Sequence, residues 1–557
     1  MRHFLIVALL VSSLFAYSKP PKKVATMRDA VVSVLVYKNG ELLRSGVGVF
    51  VGGAGELISS HSLFLDCDSA VTVDPRGVVR PVQRVLGADE LYDCIRLSVL
   101  PDKKLKPMEL SAAQVANGEK VYMVAYGAKK SGAIEEAVVE KRDTIAGSHL
   151  YYTVALPYRE SYISAPLVDA EGRLVAFLQS VEGEDSLHSF ALAASYAKEL
   201  AMKATNYNSE RFSRIGIKKA LPSTEEEALS CLLLQSFSSD SAAYKNVIDD
   251  FMAAYPGSYQ GYLHLAEYNA TQAKNYPAAL SGWEKALALS ESDAEIYYRK
   301  ANTIYSQKLY LDSTANAIFP LDSALQDVTK ALALDNQPAY TRLKGDILYT
   351  QRNYSAAFDC YSALTSTNLV SADVYMLAAN CKEILGDVDA AILHLDSAIA
   401  TFGRVPVAAM APYVMNRGLV KNRARRYREA VLDYNAYANL LNSNVNANFY
   451  YLREQAEYNG KMYRQALADI GVALIMEPDN VLFLLEKGRV CYRVNLIDEA
   501  LPALEKAVKL SPENPDAYYL LARCQMIKGE KAAAKENLLK AQKYGHPSAA
   551  ATLQELK

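Results

Sequence analysis

Three stretches of this 557-residue chain bring together side chains from which acid–base or nucleophilic chemistry is built. Ser45 to Phe64 reads SGVGVFVGGAGELISSHSLF and ends around His61. Tyr92 to Leu100 reads YDCIRLSVL and carries Asp93, 32 residues further on. Ser161 to Ser180 reads SYISAPLVDAEGRLVAFLQS and sets hydroxyls, Ser161 and Ser164, just before Pro166. Other chemistries lack their signatures. There is no phosphate-cradling P-loop, no G-x-G-x-x-G after a strand and no H-E-x-x-H. His188, His264, His394 and His546 stand singly, and the seven cysteines form no C-x-x-C pair, so neither a metal nor any other cofactor is expected. Basic residues do not interleave with aromatics in one stripe, and the formal net charge is −2, so nucleic acid is not an expected partner.

The elements that must position these residues fall into two textures. From about 30 to 195 the chain reads as β. Val31 to Val36 is a β-branched run, Lys38-Asn39-Gly40 is a hairpin turn, and short strands are predicted at 46–51, 56–59, 70–74, 78–85, 95–99, 120–126, 151–154 and 174–179. Many short strands with regular turns point to a barrel or sandwich. Ser195 to Ala204 reads as a terminal helix, and 201–223 as a linker. From 224 strands vanish, and Ala-rich patterns with a 3.6-residue period run to the end.

The three stretches resemble the chymotrypsin-like serine protease superfamily, in particular exported bacterial proteases of the HtrA type. The resemblance implies a double β-barrel over 19–200, with His61 as the catalytic histidine and Asp93 as the aspartate that fixes its imidazole. It also implies a nucleophile loop of the form Gly-x-Ser-Gly-Gly-Pro. Aligned on Pro166, the loop reads Ser161, Tyr162, Ile163, Ser164, Ala165, so Ile163 stands at the nucleophile. A hydrocarbon branch has no lone pair and no transferable proton. The glycines that would aim two N–H groups at an oxyanion are gone as well. The expectation is a pseudoprotease in which His61 and Asp93 are vestigial. The alternative is an active serine endopeptidase using Ser164, one residue late, with substrate recruited by the helical part.

The helical part has an internal ruler. Ala279, Ala324, Ala357, Ala391, Ala430, Ala466, Ala500 and Ala534 are separated by 45, 33, 34, 39, 36, 34 and 34 residues. Seven residues after most of them is another small or apolar residue, such as Ala286, Ala331, Leu364, Ala398, Ala473, Ala507 and Ala541. Twelve before stand Gly345, Ala379, Gly418, Gly488 and Ala522, with Ala301 in that role after an insertion and Glu454 as the exception. Two antiparallel helices approach closely only where side chains are small, so the small residue of the first helix is expected to face the ruler Ala of the second. Tyr354 and Tyr361, Tyr427 and Tyr434, Tyr463 and Ile470, and Ile497 and Leu504 would fill the flanking space. The 45- and 39-residue steps place insertions around 309–322 and near 406–410, and Glu225 to Pro256 reads as a leading, capping pair.

This pattern resembles the tetratricopeptide repeat family. It implies an all-α superhelical solenoid of about eight to nine helix pairs over 224–548, followed by a tail at 549–557, with a groove that binds a protein or peptide partner. Groove candidates, placed by register on the first helices, are Arg342, Asp346, Asn380, Arg423, Tyr451, Arg489, Arg493, Tyr519 and Arg523. The fold class is therefore multidomain, an all-β trypsin-like double barrel followed by the solenoid. An oligomer built through the repeats is a further possibility.

Composition agrees with a soluble, multidomain chain. Apolar residues make up 51% and charged residues 22%, and 38 tyrosines against one tryptophan suit a helical array with aromatic slots. Residues 1–18 read as a signal peptide. Arg2 and His3 precede a run from Phe4 to Phe15 that is too short to span a bilayer of about 30 Å, and Ala16-Tyr17-Ser18 supplies small residues for cleavage. Export is expected, with the periplasm ahead of full secretion and no later membrane span. Cys67 and Cys94 form the one disulfide pair considered, with two buried thiols as the equal alternative.

Overall fold

A computed structural model describes residues 19–52, 55–100, 106–145, 149–180, 187–207, 209–309 and 318–556. The expected signal peptide and most of the 309–322 insertion lie outside the described residues. The chain divides into two compact units, Met1–Glu291 and Ser292–Lys557.

After a short helical lead-in over 22–30, the first unit forms β1 (Val31–Lys38) and β2 (Glu41–Phe50), joined through Asn39 and Gly40 at φ 52° and 81°, the doubly left-handed turn that matches strand twist. With β3 (Glu56–Ser59), β4 (Ser69–Val73), β5 (Val79–Asp89) and β6 (Cys94–Val99) they close an antiparallel barrel in the order β1-β2-β3-β6-β5-β4. Val32, Val34, Val36, Leu57, Ile95 and Leu97 fill it and are fully buried. Gly48 lets β2 pass over that core, because a Cβ there would lie 2.8 Å from Val34 and 2.9 Å from Leu57. A second closed barrel follows, β10-β11-β12-β9-β8-β7. Its strands are β7 (Lys120–Val124), β8 (Ile134–Ile145), β9 (His149–Val154), β10 (Pro166–Val168), β11 (Leu174–Leu178) and β12 (Ser189–Ala193). Strands β8 and β12 were absent from the sequence expectation. The first is loaded with Glu135, Glu136, Glu140, Lys141, Arg142 and Asp143, so only Ala137 and Val139 mark its buried face.

The expected linker 201–223 packs as part of the first barrel's core. Phe212, Ile215 and Ile217 are buried in the cluster that holds Val85 and Phe64. Val85 N–H donates to Lys218 C=O and Ala220 N–H to Val85 C=O, each at 2.8 Å, so the segment adds an edge to β5. The leading pair, α1 (Glu225–Ser236) and α2 (Ser241–Ala254), joins the same core through Cys231, Leu232, Ile248 and Phe251. Asp250 on α2 receives both Arg84 nitrogens, at 2.7 and 3.0 Å, and Lys218 at 2.9 Å. A second pair, α3 (Tyr259–Thr271) and α4 (Tyr276–Leu289), completes this unit. Cys67 and Cys94 are free, buried thiols, and burial pushes the pKa of Cys67 up to about 11.

The second unit is helical. Its pairs are α5 (Ala294–Leu309) with α6 (Leu321–Leu334), α7 (Pro338–Thr350) with α8 (Tyr354–Leu364), α9 (Ala372–Ile384) with α10 (Val388–Ala400), and α11 (Ala411–Arg423) with α12 (Tyr427–Leu440). Then come α13 (Ala447–Asn459) with α14 (Tyr463–Met476), α15 (Val481–Arg493) with α16 (Ile497–Leu510), α17 (Pro515–Lys528) with α18 (Lys531–Lys543), and the terminal α19 (Ala549–Glu555). The 39-residue step is absorbed between α10 and α11, where a short 3-10 turn spans Ala408–Met410.

Every ruler alanine is fully buried, but the packing rule differs from the expectation in one respect. The glycine of the first helix faces the bulky residue four after the ruler Ala. A Cβ at Gly345 would meet Tyr361 at 2.8 Å, one at Gly418 would meet Tyr434 at 2.8 Å, and one at Gly488 would meet Leu504 at 2.5 Å. The missing methyl thus makes room for a ring or branched chain whose burial contributes about 1.5–3 kcal/mol.

Glu454 occupies this small-residue position in α13 and is fully buried. Its Oε2 accepts from Gln455 at 2.6 Å, and Arg489 Nη2 lies 3.8 Å from Oε1. One turn on, Glu457 is also buried beside Asp469, which Arg453 holds at 2.6 and 2.8 Å. Burial, reinforced by Glu486, pushes the Glu454 carboxyl up to about 7, and burial with Asp469 pushes Glu457 up to about 8.

Two outcomes follow from this packing. Gly418→Val forces Tyr434 out of its slot and is expected to cost roughly 2 kcal/mol in urea unfolding, whereas an unchanged midpoint would contradict the contact. The raised carboxyls bind protons more tightly folded than unfolded. Their contribution is therefore neutral below the ordinary carboxylate range and turns against folding as pH rises toward 8. Stability is expected to fall by roughly 1–3 kcal/mol between pH 5 and 8, and the doubly substituted Glu454→Gln, Glu457→Gln chain should flatten that slope.

Candidate active site and repeat surface

His61 follows directly on β3, whose last residue, Ser59, anchors to Val47 C=O at 2.7 Å. His61 begins the 3-10 turn Ser62–Phe64, closed by Phe64 N–H donating to His61 C=O at 3.0 Å, and is 2% exposed. Asp93 sits in the β5–β6 turn with a left-handed backbone, φ 42°. Its Oδ1 accepts the Ser62 N–H at 2.6 Å, and its Oδ2 accepts the Ser62 hydroxyl at 2.9 Å. The aspartate therefore reaches the turn that presents the histidine and braces it through Ser62, a partner the sequence did not signal. Beside it, Tyr92, His149 and Tyr196 form an edge-to-face trio with centroids 4.7–5.7 Å apart, and Tyr196 donates its hydroxyl to Asp89.

The third stretch also reaches the first barrel. The 3-10 turn Glu160–Tyr162 and the turn that follows His61 both rest against β2. From there to Pro166 each backbone N–H finds a protein carbonyl. Tyr162 N–H donates to Arg159 at 2.9 Å, Ile163 N–H to Glu160 at 3.1 Å, Ser164 N–H to Leu178 at 2.8 Å and Ala165 N–H to Tyr162 at 2.8 Å. Ser164 takes φ 65°, a left-handed conformation that costs a non-glycine residue about 1 kcal/mol, and is 5% exposed. Ile163 is extended and half-buried. Tyr162 pins the loop, because its hydroxyl donates to Glu135 at 2.6 Å and accepts from Arg159 at 2.7 Å. Glu135 lies on β8, the strand hidden by its charges, so this anchor was not legible from the motif.

The groove candidates lie on first helices, as register placed them, and are tied to neighbouring side chains. Arg342 Nε pairs with Asp346 at 3.0 Å, and Asp346 also accepts the Tyr361 hydroxyl at 2.8 Å. Asn380 on α9 accepts from Asn416 on α11 at 3.2 Å, and Arg423 on α11 grips Glu383 on α9 at 2.6 and 2.9 Å. Tyr451 packs on Phe483, with ring centroids 5.6 Å apart. Arg489 lies 3.8 Å over the Tyr458 ring and pairs with Glu486. Arg493 donates to the Tyr463 hydroxyl at 3.3 Å, and Arg523 donates to that of Tyr492 at 2.9 Å. Tyr519 stacks on His546 at 3.8 Å. Several of these contacts run from one first helix to the next, so the residues cross-link the array along one face. Among the described residues no helix is long and apolar enough to cross a membrane.

Comparison with known proteins follows the same division. Residues 46–177 match the family model of the trypsin-like peptidase domain. Residues 342–409 and 495–556 each match a tetratricopeptide repeat model. A TPR repeat-containing protein of Methanocaldococcus jannaschii is 22% identical over 242 residues, which is 42% of this chain and 40% of that protein. Among solved structures, a Mycobacterium tuberculosis protease in its active form is 15% identical, with 36% of this chain and 86% of that one covered at a TM-score of 0.28. A serine endoprotease from Yersinia pestis is 15% identical, covering 33% and 66% at a TM-score of 0.29. The HtrA-type protease AlgW with a tripeptide is 18% identical, covering 32% and 60% at a TM-score of 0.28. The chain thus carries a trypsin-like peptidase domain of two closed β-barrels, followed by tetratricopeptide repeats.

Proposed function

We propose that this chain is a binding or scaffold protein of the bacterial cell envelope, exported by residues 1–18, whose trypsin-like domain does not cleave peptide bonds and whose repeats hold a protein partner. The observation that carries the reading is the loop Glu160–Ala165. Aligned on Pro166 to the Gly-x-Ser-Gly-Gly-Pro pattern, the loop has an isoleucine at the nucleophile position, and its N–H groups from Tyr162 to Ala165 donate to carbonyls of the protein itself. An acyl-transfer site needs a hydroxyl that the imidazole can deprotonate, together with donors waiting where the oxyanion forms. His61 then remains as a buried part of the first barrel, and Asp93 as the brace of its turn. The repeats supply the surface for recognition.

The reading is tested with a fluorophosphonate probe on the purified full chain. No labelling above a heat-denatured control is expected. Labelling that disappears in Ser164→Ala would establish Ser164 as a nucleophile and overturn the non-catalytic reading. Affinity capture from envelope extracts with the full chain tests the other half, for which a reproducibly retained protein is expected and retention equal to a bare matrix would contradict it.

A further inference from the structure

The α11–α12 and α13–α14 turns lie side by side, and several of the basic residues on and beside them have no acidic partner among the described residues. Gly460 makes the approach possible, since a Cβ there would lie 3.1 Å from Tyr427 Cβ. Between the turns is a shallow, open depression of about 340 Å³ lined by residues that include Arg425, Arg426, Arg428, Glu429, Asn459 and Lys461. Neighbouring cations have partners. Lys421 pairs with Asp433 at 2.9 Å, Arg423 with Glu383 at 2.6 Å and Arg426 with Asp389 at 2.7 Å. Arg425, Arg428 and Lys461 are exposed, as is Arg464 on the first turn of α14, and among the described residues no ion pair engages any of the four. Glu429 is the one acidic residue lining the depression.

The local backbone adds to the same sign of potential. Asn353 caps α8 and Asp387 caps α10 with a side-chain acceptor, whereas α12 and α14, like α6, α16 and α18, begin without one. The residues at this position in α12 and α14 are Arg426 and Met462, and neither makes a side-chain cap. Both helix starts add a partial positive charge beside the basic rim, offset at α12 by Glu429 in its first turn.

We infer that this rim docks an acidic segment of a protein partner, with side-chain carboxylates seated between Arg425, Arg428 and Lys461. Guanidinium groups take carboxylates in a paired, planar geometry, and the depression is of a size to admit a few side chains. A duplex would need a long basic strip, and a net charge of −2 does not draw the whole chain to a polyanion. The site is separate from the first-helix face above, and its test stands whether or not that face binds anything.

The experiment uses the full chain and a fluorescent synthetic peptide of alternating Asp and Glu, with its Asn/Gln counterpart as control, read by anisotropy at low and physiological salt. The acidic peptide is expected to bind, to weaken with salt, and to lose roughly tenfold in affinity when Arg425, Arg428 and Lys461 are all changed to Gln. Arg352→Gln, at the same left-handed position of the α7–α8 turn, should leave binding unchanged. Equal binding of the neutral peptide, an undiminished affinity in the triple variant, or competition by inorganic phosphate more effective than by the peptide would each overturn the assignment. Unchanged thermal unfolding of the triple variant is expected, since the three side chains are exposed.

Discussion

A backbone N–H makes one good hydrogen bond, and in the loop before Pro166 that bond goes to the protein itself. The loop sits where β10 begins, so its geometry is set by the barrel ladder. Leu178 N–H donates to Ala165 C=O at 3.0 Å while Ser164 N–H donates back to Leu178 C=O, which stitches the loop to the end of β11. Tyr162, held by Glu135 and Arg159, fixes the other side. Glycines at 164 and 165 would leave the backbone free to rotate outward. With Ser164 and Ala165 in their place, both bonded to the end of β11, the loop becomes a structural corner of the second barrel.

The repeats obey the same economy of space and polarity. Three helix pairs exchange one methyl on the first helix for a ring or branched chain on the second, Gly345 with Tyr361, Gly418 with Tyr434 and Gly488 with Leu504. Glu454 breaks the rule, and the consequences spread. A carboxyl replaces a hydrogen atom, Arg489 and Gln455 gather round it, and Glu457 and Asp469 crowd the next turn. The array thereby acquires a buried acidic knot in a fold that elsewhere buries alanine.

Much of this was legible in the sequence. Asn39-Gly40 announced the first hairpin, because only residues tolerant of positive φ suit that turn. The ruler alanines announced the helix pairs, because close approach demands small side chains at a fixed spacing. What stayed hidden had physical reasons too. Strand β8 alternates only weakly under its charges, and 201–223 looks polar although Phe212, Ile215 and Ile217 bury against the first barrel. The Asp93–Ser62 brace depends on a left-handed residue that no local pattern demanded. The cross-links among Arg423, Glu383, Asn380 and Asn416 join residues about 40 positions apart, where only the three-dimensional repeat brings them together.

The central claim, that the loop's donors are closed into the fold, is most directly tested by amide hydrogen exchange resolved at Ile163, Ser164 and Ala165 in the native full chain. Protection comparable to that of the β10–β11 ladder is the result this account requires. Exchange at the rate of an unstructured peptide would mean that those groups face solvent, and that an oxyanion could find them there.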